Sequence, residues 1–144
     1  MVTTSEESKQ IVERFWATMQ TNDFNAAGQL LHDDYVLEWP QSGERIRGRA
    51  NFIAVTENYP AHGCWEFTIH RILAEENEVV SDVDVTDGVI TGRVITFSTI
   101  RAGKILHQTE FWPDPFEAAE WPAQWFEISA DRPKSQTGSA SSEG

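Results

Sequence analysis

Between Trp65 and Trp112 the chain carries four runs rich in β-branched and aromatic residues: Trp65–Leu73, Val79–Thr86, Val89–Ile100 and Ile105–Trp112. The breaks between them, Glu75-Glu76-Asn77, Asp87-Gly88 and Ala102-Gly103, are short and polar or contain glycine. Connections this short close hairpins, whereas parallel neighbours need a crossover of about a dozen residues or more. The spacing therefore predicts a consecutive antiparallel meander rather than a βαβ arrangement.

The residues before the meander read as helices around a single strand. Thr4 and Glu7 have capping-box spacing, and Ile11, Val12, Phe15, Trp16 and Met19 then recur on one helical face, predicting a helix over about residues 5–20. Asn22 or Asp23 can cap a shorter helix carrying Phe24, Ala27, Leu30 and Leu31, which should stop near His32. Tyr35–Trp39 reads as a short strand ended by Pro40, and Gln41-Ser42-Gly43-Glu44 as a turn. Gly48 opens a third helix with Phe52, Val55 and Tyr59 on one face, ended by Pro60. After the meander, Asp114 and Pro115 have the spacing of a final helix start, with Pro122 interrupting any pairing of Trp121 with Trp125. The predicted class is α+β, with three N-terminal helices packed on one face of a curved antiparallel sheet. Residues 1–128 are expected to form one domain and 129–144, with nothing to bury, a disordered tail.

Composition narrows the partners. A formal charge of −12 opposes phosphate backbones and anionic headgroups, and only Arg45, Arg47 and Arg49 cluster basic charge, so neither nucleic acid nor a membrane surface is expected. No run approaches the roughly 18 apolar residues of a membrane span. The N-terminus lacks a basic start followed by an apolar stretch, so no secretory signal is read. Cys64 is the single cysteine, which fits a reducing compartment, and the expectation is a cytoplasmic protein. Gly43, Gly48 and Gly63 have the wrong spacing for a phosphate loop, and no cofactor is implied. His32-Asp33-Asp34 reads as capping or turn residues at a helix end. Asp82, Asp84 and Asp87-Gly88 lack calcium-loop spacing within a strand-like run, so no metal is expected.

The order of elements, the Asp33–Pro40 strand, the Gly48-Arg49-Ala50 helix start, and a last strand that runs from Gly103-Lys104-Ile105 to Glu110-Phe111-Trp112 resemble the SnoaL-like, polyketide cyclase-like branch of the NTF2-like superfamily. The resemblance covers about residues 5–127. It implies a cone of sheet and helices enclosing an apolar pocket, usually in a homodimer formed through the outer face of the sheet. In the cyclase branch an aspartate late in the last strand acts as acid/base, and counted from Gly103 that position is Glu110. In the steroid-isomerase branch the base lies on the first strand, where this chain has Trp39 within Glu38-Trp39-Pro40, and an indole cannot accept a proton. The epoxide-hydrolase branch needs an Asp-Arg-Asp relay on the sheet. Asp82, Asp84, Arg93, Arg101 and Glu110 supply ingredients, with their faces left open by the spacing.

Strand alternation puts Leu106, Gln108, Glu110 and Trp112 on one face and Ile105, His107, Thr109 and Phe111 on the other. The resemblance makes the Glu110 face the pocket side, so Glu110 is the candidate catalytic residue, and His107 reads as a surface or interface residue. Trp16, Tyr35, Trp39, Phe52, Tyr59, Phe97, Gln108 and Trp112 are the candidate pocket residues, although core packing explains the aromatic ones equally well. The expected function is binding of a small, largely apolar molecule, with cofactor-free acid/base chemistry such as aldol-type cyclisation. The alternative is a non-catalytic ligand-binding or dimerisation module, and steroid-isomerase-like or epoxide-hydrolase-like activity ranks below both.

Overall fold

Helix α1 spans Ser5–Gln20, and Thr4 caps it by accepting the Glu7 amide while the Glu7 carboxylate accepts the Thr4 amide. Its apolar stripe, Ile11, Val12, Phe15, Trp16 and Met19, is buried against the sheet. The computed structural model describes residues 4–120 and 123–129. Just past α1, Asn22 takes a left-handed φ of 63°, which its short amide tolerates better than most side chains. That amide brackets the backbone of Trp65 by accepting its N–H and donating to its carbonyl, each at 2.8 Å. The end of α1 is thereby tied to the start of the meander.

Helix α2 is Phe24–Gly28, strand β1 is Leu31–Trp39, β2 is Glu44–Arg47 and helix α3 is Arg49–Asn58. Gly48, at φ 84°, makes the sharp passage from β2 into α3. Strands β3 (Glu66–Glu75), β4 (Glu78–Thr86), β5 (Thr91–Arg101) and β6 (Lys104–Phe111) form the expected antiparallel meander. The sheet has six strands in the order β2-β1-β6-β5-β4-β3, with the helices on one face. This is the α+β cone anticipated above. No helix among the described residues is long and apolar enough to cross a membrane.

Several local expectations are corrected. The sheet is mixed, because β1 runs parallel to β6, with Val36–Glu38 opposite His107–Thr109. Leu31 opens β1 instead of closing a helix, since pairing with Ile105 buries it completely, and His32-Asp33-Asp34 lies within the strand rather than at a helix end. Glu44 belongs to β2, a short edge strand with one buried side chain, Ile46, too few alternations for a pattern to show. The helix expected after Asp114 does not form over the described residues. Pro122 limits any helix begun at Asp114 to about two turns, too short to hold without packing, and only a 3-10 turn follows at Ala123–Trp125. Trp121, Pro122 and the tail from 130 to 144 lie outside the described residues.

Candidate functional site

The concave face of the sheet and the three helices enclose a cavity of about 100 Å³. Trp16 and Met19 of α1, Trp39 of β1, Phe52 of α3 and Trp112 beyond β6 supply aromatic and thioether walls, and Glu110 is the one carboxylate among the described lining residues. Tyr59 and Trp65, both half-buried, also line it, and the loop that connects them is clasped at its centre. There the Asp87 carboxylate accepts the His62 amide and lies 2.9 Å from His62 Nδ1, and its other oxygen accepts the Val89 and Ile90 amides. These bonds, the His62 and Ile90 amides above all, hold Asp87 far below the usual carboxylate range.

Glu110 is buried, and each of its oxygens has a donor. The Trp39 indole N–H donates to Oε1 at 3.0 Å and the Thr96 hydroxyl donates to Oε2 at 3.1 Å. Burial raises its pKa above 4.5, and these two bonds oppose the rise without cancelling it. A carboxyl group so placed holds its proton to higher pH than an exposed one, and once the proton has left, two donors are in place to stabilise the carboxylate. That combination suits general acid/base work.

The sequence-predicted residues fall into three groups. Trp16, Trp39, Phe52, Tyr59, Glu110 and Trp112 line the cavity together. Tyr35 and Gln108 lie behind the lining, fully buried: the Tyr35 hydroxyl donates to Gln108 Oε1 at 2.6 Å, and Gln108 Nε2 donates to Ser98 at 3.1 Å. Burial, followed by the charge of Glu110, drives the Tyr35 hydroxyl well above its ordinary pKa, so it stays a donor. Phe97 is a correction. It is 50% exposed on the outer face, edge-on to Phe111, because Thr96 and Ser98 on either side turn inward to meet Glu110 and Gln108 across the strand pair. Thr96 was missed by the sequence reading, and the signal for it is parity: it faces Glu110 in the β5–β6 register.

Parity also breaks at the start of β6. Thr99 pairs with His107 and Ile100 with Ile105, so Leu106 is an extra residue. Ile105 is consequently in the core, contrary to simple alternation, while Gln108, Glu110 and Trp112 keep the inner face. His107 faces outward, its Nε2 2.8 Å from Glu38 Oε2, and Glu38 is held below the ordinary range by His107 and Arg45. Asp82 and Asp84 point outward too. Asp82 takes two bonds from Arg93 at 2.8 and 2.7 Å, and Asp84 lies 2.8 Å from His70. Arg101 is exposed at the end of β5. The ingredients of an Asp-Arg-Asp relay are therefore not gathered around Glu110.

Three helices on one face of a six-stranded mixed sheet, enclosing an apolar cavity, define an NTF2-like protein. The sequence profile of the SnoaL-like domain matches residues 12–108, and the chain belongs to that family. It is similar to a candidate ketosteroid isomerase from Kribbella flavida DSM 17836, with 26% identity and a TM-score of 0.83 over 93% of this chain and 98% of that one. An NTF2-like protein of unknown function from Burkholderia xenovorans LB400 is 30% identical, with a TM-score of 0.73 over 87% of this chain and 97% of that one. An LEH-like epoxide hydrolase of M. tuberculosis shares the fold at 24% identity and a TM-score of 0.64, covering 76% of this chain and 84% of that one. No curated protein matches the sequence.

Proposed function

We propose that the protein binds a small, largely apolar carbonyl compound in the cavity and transfers a proton with Glu110, without a cofactor. The observation that carries this reading is a carboxyl group with a raised pKa, held by two oriented donors inside an apolar enclosure. Size limits the guest. Pockets for drug-sized ligands run to about 300–1,000 Å³, and an apolar cavity of about 150 Å³ suffices for benzene. At about 100 Å³ the cavity is smaller than that benchmark: a short chain fits as it stands, a single ring needs the half-buried Tyr59 and Trp65 to give a little, and a steroid nucleus needs the aromatic walls to move well apart. Isomerase chemistry with a base on the first strand is further disfavoured because Trp39 occupies that position and donates to Glu110. Hydrolysis of an epoxide through a relay is disfavoured because Asp82 and Arg93 pair with each other on the outer face.

Deuterium exchange tests the reading directly. In D2O the wild-type protein should accelerate exchange at the carbon next to the carbonyl of cyclohexanone, and Glu110→Gln should lose roughly 100-fold or more of that acceleration. Equal exchange by both proteins would defeat the assignment. A non-catalytic binding module is the second reading, favoured by the fact that both oxygens of Glu110 already have partners within the fold. We also propose a homodimer, with the outer face of the sheet as its contact surface. Leu73, Phe97 and Phe111 are exposed there beside half-buried Val80 and Ile95.

A further inference from the structure

Charge inside the cavity is one-sided. Among the described lining residues most are aromatic, Glu110 is the carboxylate, and no lysine, arginine or histidine is present. The ion pairs among the described residues engage Asp33, Asp34, Glu38, Asp82, Asp84 and Asp87, and none of them includes Glu110. The two groups that do meet its oxygens, the Trp39 indole and the Thr96 hydroxyl, are neutral dipoles. They steady an ionised Glu110 without cancelling its charge, and a carboxylate has lone pairs beyond the two they occupy. That charge is felt across the interior, where it adds to burial in pushing the Tyr35 hydroxyl above its ordinary range. Buried charges are ordinarily paired, because an uncompensated one is costly. The partner that Glu110 lacks within the fold is a cation.

The walls restrict which cation fits. A metal ion needs several oxygen, nitrogen or sulfur ligands, and among the described residues no group of three or more His, Cys, Asp or Glu side chains could hold one. A primary ammonium carries three N–H donors, which aromatic carbon does not match. An ammonium whose hydrogens are replaced by methyl groups combines a positive charge with an apolar exterior, and aromatic rings attract it, indole most strongly. Trp16, Trp39, Trp65 and Trp112 bring four indoles to this one cavity. A tetramethylammonium ion is comparable in bulk to a single ring, so at about 100 Å³ it asks for the same small adjustment of Tyr59 and Trp65 as benzene would. The formal charge of −12 also draws cations toward the protein.

We propose that the cavity is a binding site for a small alkylated ammonium ion, of the trimethylammonium or tetramethylammonium type, with the Glu110 carboxylate as its counter-ion and the indoles as its walls. Coulomb attraction over a few ångströms does not require either carboxylate oxygen to be free of its donor, so Trp39 and Thr96 keep their bonds when the cation enters. Glu110 acts here through its charge and not as a base. The inference therefore stands apart from the proton-transfer reading and gives the same enclosure a second ligand class.

The test compares tetramethylammonium with 2,2-dimethylpropane, the uncharged molecule of the same shape, at pH 8 and at an ionic strength held constant with sodium chloride. Binding is followed by proton NMR of the ligand methyl groups. With the wild-type protein the tetramethylammonium resonance should move upfield on binding, the direction that ring faces produce. Glu110→Gln should weaken tetramethylammonium roughly tenfold or more and 2,2-dimethylpropane less than about twofold. Retained binding of the uncharged molecule shows that the cavity of the variant is intact. Failure of the wild-type protein to bind tetramethylammonium, or binding without an upfield shift, would overturn the proposal whatever the folding of the variant. A parallel effect of Glu110→Gln on both ligands, or no effect on either, would overturn the counter-ion role. None of these results decides the proton-transfer reading, which is judged by deuterium exchange.

Discussion

Glu110 carries its ionisation into the stability of the whole domain. An unfolded chain loses this proton near pH 4.3, whereas the folded protein holds it to higher pH because burial disfavours the carboxylate. Between those two values the folded state binds more protons than the unfolded one, so stability falls as pH rises through that window and then levels off. Glu110→Gln keeps an acceptor for Trp39 and offers an amide donor to the Thr96 hydroxyl without ever ionising. The variant should therefore match wild type at pH 4 and exceed it at pH 8 by ~1 kcal/mol, a few degrees in melting temperature. An equal difference at both pH values in thermal melts would contradict this account. For Glu110, alternation in the sequence supplied only a common face with Gln108 and Trp112, and the family resemblance supplied its inward direction, which its burial bears out. The direction of Phe97 was not legible, because hydrophobicity alone favours putting the ring inside. What decides it is the need of two buried polar side chains for hydroxyl partners across the strand pair, which a single strand does not display.

At the scale of elements, α2 and α3 approach closely at Gly28, where an added Cβ would lie 2.6 Å from both Cγ1 and Cδ1 of Ile53. Two effects of an alanine there oppose one another. Helix propensity favours alanine over glycine by ~1 kcal/mol, while overpacking costs about 1–3 kcal/mol. Gly28→Ala should thus destabilise the protein by ~1 kcal/mol, and in an Ile53→Ala background the same change should become stabilising, as denaturant titrations of the four proteins would show. If Gly28→Ala raised the denaturation midpoint in the wild-type background, the close contact would not be controlling. The meander was readable from turn spacing because each hairpin is local. β1 and β2 were harder. Leu31 is claimed by a parallel partner in β6, distant in sequence, so local periodicity extended the preceding helix across it. One buried side chain in β2 offers no alternation to detect.

For the whole molecule, the two faces of the sheet have different tasks. The inner face is closed by the helices, and the outer one leaves Leu73 61%, Phe97 50% and Phe111 36% exposed among paired charges. A self-complementary contact through this face would be two-fold symmetric, so one substitution alters it twice. Phe97→Lys, at a position the fold leaves open to solvent, should preserve the melting profile of the protomer and weaken association roughly tenfold or more, measured by sedimentation equilibrium. A wild-type protein that sediments as a monomer at high concentration would remove this interface from consideration. Four of the five described tryptophans line the cavity. Because indole fluorescence changes with the polarity and nearby groups around the ring, the emission of this protein comes largely from the walls of its own pocket. It is in effect an unlabelled optical sensor, in which a guest entering the cavity and a proton leaving Glu110 both act on the light it emits.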